Sequence, residues 1–253
     1  MDRELYEQIH QIENSHWWYA ARRKIIYDWV FKTLAINDTQ KILDVGCGTG
    51  FNIEYVQTKG FPSVVGLDLS KDALNFCKMR NLSDLICCNA ITIPLVDKSF
   101  DVVLALDLLE HLENDVQAIH EFARIIKPGG KLFLFVPAYQ ILWGLQDVVG
   151  HHFRRYTARE IQGKVLNSNL MITKLTYVNT FLFPLIWMGR IALRILGNRI
   201  SAVSENDLSP DWSNDILMKI FGAERPLINH INLPFGVSIF CIAQKHIDEN
   251  LPG

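Results

Sequence analysis

Lys41-Ile42-Leu43-Asp44-Val45-Gly46-Cys47-Gly48-Thr49-Gly50 decides how this chain reads. A short apolar run leads into three glycines at alternate positions, and a helix-like stretch follows from Phe51. That order predicts a strand, a tight loop and a helix start. Glycine has no Cβ and tolerates positive φ, so a ligand can lie against bare backbone N–H groups there. The acid ahead of the glycines narrows the choice of ligand. A fixed carboxylate would repel a dinucleotide diphosphate, so Asp44 points to a ligand carrying positive charge near the loop.

Downstream, Ser63-Val64-Val65-Gly66-Leu67-Asp68 is a second apolar run ending in an acid. Its offset from the loop, roughly 20 residues, suits a carboxylate that takes both hydroxyls of a ribose. Leu85-Ile86-Cys87-Cys88, followed by Asn89-Ala90, is a third run. Phe100 to Leu106 is a fourth, ending in Asp107-Leu108-Leu109-Glu110-His111. Lys131 to Pro137 is a fifth, entered through Lys127-Pro128-Gly129-Gly130. Near-continuous apolar strands separated by helix-length segments predict a parallel sheet covered on both faces. Ligands of such sheets sit at the carboxyl ends of the strands, where Asp44, Asp68, Asn89 and Asp107 fall.

Leu43 to Gly50, Val65 to Asp68, Asn89-Ala90, Asp101 to His111 and Lys127 to Pro137 together resemble the motif set of the class I S-adenosylmethionine-dependent methyltransferases. The resemblance covers residues 38–138. It implies an α/β, doubly wound Rossmann-like sheet of seven strands in the order 3-2-1-4-5-7-6, the last antiparallel, with S-adenosyl-L-methionine as cofactor. It also implies site roles. Gly46, Gly48 and Gly50, with Cys47 between them, give room to the methionine part, and Asp44 sits near its ammonium. Asp68, beside Leu69, holds the ribose. Asn89 and Ala90 meet the adenine edge, and Asp107 with Leu108 lines the methionine side. Many family members carry Asp where this chain has Asn89; Asn still accepts from an adenine amino group but removes one charge. Three other readings stay open: a nicotinamide or flavin turn at the glycines, a capping role for Asp68 (although Ser70 is the better helix cap), and an ordinary strand-end acid at Asp107.

With 253 residues the chain can bury one good-sized core plus an appendage. A net charge of −2 gives no electrostatic reason to expect nucleic acid as a partner. The start, Met1-Asp2-Arg3-Glu4-Leu5-Tyr6-Glu7, is charged and has no apolar signal core, which argues against secretion. Five cysteines at irregular spacing give neither a disulfide framework nor a zinc site, and no other metal site is read. A reducing cytoplasm fits.

The expected domains are an N-terminal helical lid at 1–37, a Rossmann-like unit at 38–178 and 232–247, and an apolar helical insertion at 179–231. In the first, Ile26, Val30 and Leu34 recur at helical spacing, ended by Asn37-Asp38. Before them, Trp17-Trp18-Tyr19-Ala20-Ala21-Arg22-Arg23 cannot turn every ring and guanidinium to one core. Some family members carry a similar element that closes over the donor. By that resemblance Trp18 or Tyr19 covers the cofactor, and Arg22 or Arg23 meets its carboxylate. A helix merely packed beside the sheet is the other reading.

After Pro137, Gly150-His151-His152-Phe153-Arg154-Arg155-Tyr156-Thr157 concentrates imidazoles and guanidiniums in one loop. Thr157 and Glu160 form a capping box that opens a helix to about Asn167. Met171–Val178 and Leu233–Ala243 read as the last two strands. His111, His151 and His152 are the candidate bases for an acceptor that must lose a proton. Arg154, Arg155 and Tyr156 are candidates for holding an anionic acceptor, against a plain solvated loop. The insertion's unbroken apolar stretch is too short to span a bilayer. Residues 180–200, with Arg190, Arg194 and Arg199 among apolar side chains, suit either peripheral membrane contact, a lid, or a homodimer helix. Ser201 to Asp215 reads as a linker. The function expected is methyl transfer to a small, lipid-like or aromatic acceptor by in-line displacement. A donor-binding protein without catalysis and a nicotinamide-dependent oxidoreductase remain the alternatives.

Overall fold

The computed structural model describes residues 2–34, 39–196 and 211–247. Strands β1 (Ile42–Val45), β2 (Val64–Asp68), β3 (Leu85–Cys87), β4 (Phe100–Leu106), β5 (Ile126–Pro137), β6 (Leu170–Val178) and β7 (Ser238–Lys245) form one sheet in the order 3-2-1-4-5-7-6. β1 to β5 pair in parallel. β7 lies antiparallel between β5 and β6, with Phe240 opposite Phe135. This is the sheet that the motif set implies.

Successive residues of a strand face opposite sides, and both sides are buried. Ile42, Val64, Leu104, Phe133 and Phe240 face one core layer. Leu43, Leu67, Val103, Leu134 and Ile239 face the other. The second layer is covered by α5 (Asp115–Ile125) and α7 (Ala158–Leu166), through Phe122, Ile161 and Val165, with the short α6 (Leu145–Val149) between them in the chain. The first is covered by α2 (Trp17–Thr33), through Ile26 and Val30, with α3 (Phe51–Gln57) and α4 (Lys71–Met79) beside it. At about 25 cal/mol per Å² of apolar area, this two-sided burial is what drives the fold.

α1 (Arg3–Ile12) is a separate helix. Its Tyr6 packs with Ala73 and Phe76 of α4. His16 caps α2, its side chain accepting from the Trp18 N–H. The N-terminal segment, expected to be helical, is two helices separated at Glu13–His16 that pack on different partners. Residues 35–38, which include Asn37-Asp38, lie outside the described residues.

Three further elements follow β6: α8 (Phe183–Leu196), α9 (Asp211–Gly222) and α10 (Arg225–His230). The expected linker at Ser201–Asp215 is corrected at its end, because 211–215 are helical; 201–210, like Arg199, lie outside the described residues. Tertiary contacts override the polar composition there. The Asn214 side chain accepts from the Trp17 N–H at 2.7 Å and donates to the Ser15 carbonyl at 3.0 Å. Buried Phe221 stacks on Trp18 at 5.5 Å. The last strand also starts later than the sequence suggests, at Ser238. Leu233 instead bridges Tyr177, and the Thr180 hydroxyl donates to the Phe235 carbonyl. Among the described residues no helix is long and apolar enough to cross a membrane.

Candidate active site

The glycine loop leaves β1 and is tied to β2. The Gly46 and Cys47 N–H groups both donate to the Leu67 carbonyl, at 2.7 and 3.0 Å. Gly46, Gly48 and Gly50 all take positive φ, at 71°, 55° and 82°. Their surroundings differ. A Cβ on Gly46 would lie 2.8 Å from Leu108 Cδ1, and one on Gly50 would lie 2.7 Å from Leu82 Cδ1. A Cβ on Gly48 would meet nothing within 4 Å. Gly46 and Gly50 are needed for packing, whereas Gly48 borders open space.

That space is a cleft of about 390 Å³ at the carboxyl ends of β1, β4 and β5. Of the residues singled out from the sequence, Trp18, Tyr19, Arg22, Arg23, Gly46, Cys47, Gly48, Asp107, His111, His152, Arg155 and Arg190 line it. Asp44, Gly50, Asp68, Leu69, Asn89, Ala90, Leu108, His151, Arg154 and Tyr156 do not.

The donor-side acids sit just behind the lining. Asp68 ties β2 to the glycine loop: its carboxylate accepts from the Gly48 N–H at 2.9 Å and the Ser70 N–H at 2.8 Å. Burial pushes its carboxyl above the usual range, while those two N–H groups pull it back. Ser70 does cap α4, accepting from the Ala73 N–H. Tyr6 of α1 lines the cleft and stands against Asp68 and Ser70; burial and the Asp68 charge push its phenol up to about 12. Asp44 is 1% exposed, one of its carboxylate oxygens (Oδ2) has no hydrogen-bond partner, and burial pushes its carboxyl up to about 7 against the pull of Arg22. An orphaned buried carboxylate beside open backbone fits a cationic ligand group.

Asn89 and Ala90 are turned to local structure. Asn89 accepts from the Ile91 N–H at 3.1 Å, and Ala90 is buried in the second core layer. Leu69 points outward at 67% exposure. Asp107 takes φ +54° and pairs with the Arg22 guanidinium, which also lies over the Phe135 ring. Arg22 thus holds an acid of the chain itself. Arg23 donates to the Glu13 carbonyl and stacks over Phe51 at 4.0 Å. The sequence reading missed Glu13, which is 7% exposed and fastens the α1–α2 junction to the loop. It accepts from the Thr49 hydroxyl at 2.5 Å and from Arg80 at 2.7 Å.

At the acceptor end the three candidate histidines separate. His151 takes φ +55°, is 60% exposed and faces Asp2 at 3.6 Å, outside the cleft; its expected role as a base has no geometric support. His111 and His152 meet edge to face, with ring centroids 4.5 Å apart. Burial, reinforced by His152, pushes His111 down to about 3, which leaves it a neutral and poor base. His152 Nδ1 is 2.9 Å from Asp147 Oδ1, and Asp147 is fully buried, so that pair fixes the ring. Beside them Glu110 is 1% exposed; burial pushes its carboxyl up to about 8, and its Oε2 has no partner. Glu110 was legible only as the neighbour of His111 at the end of the fourth strand.

The basic loop divides too. Arg155 lines the cleft and binds Asp147 at 2.8 Å. Arg154 turns away to Asp115 and the Glu113 carbonyl. Tyr156 is buried, donating to Asp115 at 2.7 Å and the Leu109 carbonyl at 3.0 Å. The expected acceptor-binding roles of Arg154 and Tyr156 are therefore corrected to anchoring the loop on a buried carboxylate. α8 contributes Ile186 and Arg190 to the cleft wall, while Leu185 and Met188 are 59% and 56% exposed on it.

Residues 43–134 match the family model described as a methyltransferase domain. A ubiquinone biosynthesis O-methyltransferase from Alkalilimnicola ehrlichii is 37% identical over 109 residues, which are 41% of this chain and 44% of the relative. The chain spans less than half the length of the first curated relatives it matches. Among solved structures, a chain of the complex between the Haloferax volcanii Trm112 methyltransferase activator and a methyltransferase shares the fold at a TM-score of 0.63 and 16% identity, covering 98% of this chain and 97% of that one. A geranyl diphosphate methyltransferase in complex with GPP and sinefungin shares it at 0.59 and 15%, covering 90% and 77%. On its ordered motifs, its sheet order and these matches, residues 43–134 carry a methyltransferase domain, set in the sheet of the class I S-adenosylmethionine-dependent methyltransferase fold.

Proposed function

We propose that this chain transfers a methyl group from S-adenosyl-L-methionine to a small acceptor with an apolar or aromatic body. One observation carries the reading: the open face of Gly48 borders a cleft that continues from the donor loop to an apolar wall with a polar end. S-adenosyl-L-methionine, when bound, supplies an already activated methyl on a sulfonium. What is left to the protein is placement and exclusion of water, worth up to about 7–11 kcal/mol in ideal cases. Gly46, Cys47 and Gly48 would hold the donor's methionine part, Asp44 its ammonium and Asp68 its ribose. Trp17, Trp18, Tyr19 and Ile186 offer the apolar wall for the acceptor, and His111, His152 and Arg155 the polar end where its reacting group lies.

In this reading residues 1–37 close the donor side, 38–178 and 232–247 form the transferring unit, and 179–231 shape the acceptor side. The outer face of α8 would rest on a lipid surface. An acceptor of this kind agrees with a relative that acts in ubiquinone biosynthesis and a fold neighbour solved with GPP.

The test is incubation with S-adenosylmethionine labelled at the methyl group and a total lipid and metabolite extract. Label in the organic-soluble fraction, lost with Gly48→Ala, is the expected result. Tight S-adenosylhomocysteine binding with no label in any fraction would leave a donor-binding protein instead. Stabilisation by NAD and not by S-adenosylhomocysteine would overturn the donor assignment.

A further inference from the structure

We propose that Glu110, His111 and His152 bind one divalent transition-metal ion at the polar end of the cleft. Their ligand atoms all lie within 4.8 Å of one another. Metal bonds of about 2.0–2.2 Å to imidazole and carboxylate bring tetrahedral ligand atoms to about 3.3 Å apart, so side-chain rotations would close the triad. The chemistry of the set, two imidazoles and one carboxylate, suits zinc, manganese, cobalt or iron rather than calcium or magnesium.

Three further observations point to a cation. The first is charge. Asp107 is paired with Arg22 and Asp147 with Arg155, and Glu110 forms no ion pair among the described residues. Its Oε2 is buried without a hydrogen-bond partner, a costly arrangement that a metal relieves. The second is orientation. Asp147 engages His152 Nδ1 at 2.9 Å, which leaves Nε2 for the metal. Metal-ligating histidines are held by such outer partners. The third is access. All three residues line the cleft, so a fourth position would face the acceptor, the open geometry of a catalytic rather than a structural site.

The ion's role rests on the proposed methyl transfer; its binding does not. Where the acceptor presents a hydroxyl, the metal would bind the oxygen and favour its ionised form, with the proton released to solvent. His152 then serves as a ligand and not as a proton acceptor.

The experiment uses the full chain after chelator treatment, titrated calorimetrically with zinc and with manganese chloride, and loaded with cobalt(II) for visible absorption. The expected result is one ion per chain with cobalt d–d bands. Glu110→Gln and His152→Asn should each weaken binding at least tenfold, and His151→Asn, one residue away and outside the cleft, should leave it unchanged. His111→Asn replaces any variant that fails to fold by circular dichroism. Absence of stoichiometric metal and of cobalt bands in the wild-type chain would overturn the proposal. So would wild-type affinity in Glu110→Gln, which would make Glu110 a buried neutral acid. S-adenosylhomocysteine binding, measured on the same samples, reports separately on the donor site.

Discussion

Substituting Ala at two of the loop glycines should separate what the loop does for the ligand from what it does for the fold. Gly48 and Gly50 both need positive φ, at 55° and 82°. Holding an L-residue there costs about 1–2 kcal/mol, less about 0.4–1 because Ala has the stiffer unfolded chain. For Gly48→Ala nothing else is added, since its Cβ meets nothing within 4 Å. The net loss is about 1 kcal/mol, or about 2–4 °C in a chain of this size. In Gly50→Ala the Cβ also meets Leu82 Cδ1 at 2.7 Å and Cys77 Sγ at 2.9 Å, both in the core. Overpacking of that kind adds about 1–3 kcal/mol, for a total of about 2–4. Ligand affinity should rank the other way. The Gly48→Ala methyl stands in the cleft, and S-adenosylhomocysteine should bind at least tenfold more weakly, about 1.4 kcal/mol. Urea denaturation and isothermal titration calorimetry on the same samples check both halves. Wild-type affinity in Gly48→Ala would mean that no ligand touches the loop. Equal destabilisation by the two variants would mean that packing, and not a ligand, requires glycine at both.

Asp44→Asn should raise the stability of the ligand-free chain at pH 8 and lower S-adenosylhomocysteine affinity. A carboxyl held at about 7 when folded, against 3.8 when free, keeps its proton in the native state across that interval, so wild-type stability falls as pH rises from about 4 to 7 and the Asn variant lacks the slope; denaturation midpoints at pH 5 and 8 decide it. Tyr156→Phe should cost about 1.5–3 kcal/mol, the worth of its bond to the buried Asp115 carboxylate, while leaving acceptor KM unchanged; a raised KM would restore Tyr156 to the acceptor site. Leu185→Glu with Met188→Glu, both on the exposed face of α8, should abolish co-flotation with anionic liposomes at unchanged melting temperature; flotation equal to wild type would remove the lipid contact.

The sheet was legible because its strands are near-continuous apolar runs and its loop carries glycine at each position that takes positive φ. Both are local properties. The site was legible only where local sequence places a residue at a strand end, as with Gly48, Asp107 and His111. Which of His151 and His152 enters the cleft depends on a positive φ at His151 and on Asp147 catching the His152 ring. Arg154 and Tyr156 look like ligands for an anion until Asp115, some 40 positions earlier, takes both. Glu13, Tyr6 and Glu110 went unread because what gives each its place lies outside its own segment: Arg80, Asp68 and the loop holding His152.

Donor entry follows from the way the N-terminal segment is fastened. Tyr6 stands against Asp68 and Ser70, and Arg22 is committed to Asp107. A nucleoside reaching Asp68 and a carboxylate reaching Arg22 must each exchange an existing contact for a new one, so measured affinity is the difference between the two sets. The Glu13 junction is different. Its bonds to Thr49 and Arg80 are buried and tie α1 and α2 to the glycine loop within the cleft wall itself. The segment can therefore open at α1, about Glu13 as the fixed point, without releasing the glycine loop. Deleting residues 2–12 should then raise the association rate for S-adenosylhomocysteine while Glu13→Ala should weaken equilibrium binding by loosening the loop. Stopped-flow fluorescence of Trp17 and Trp18 would separate the two, and an unchanged association rate in the deletion would mean that α1 is no barrier.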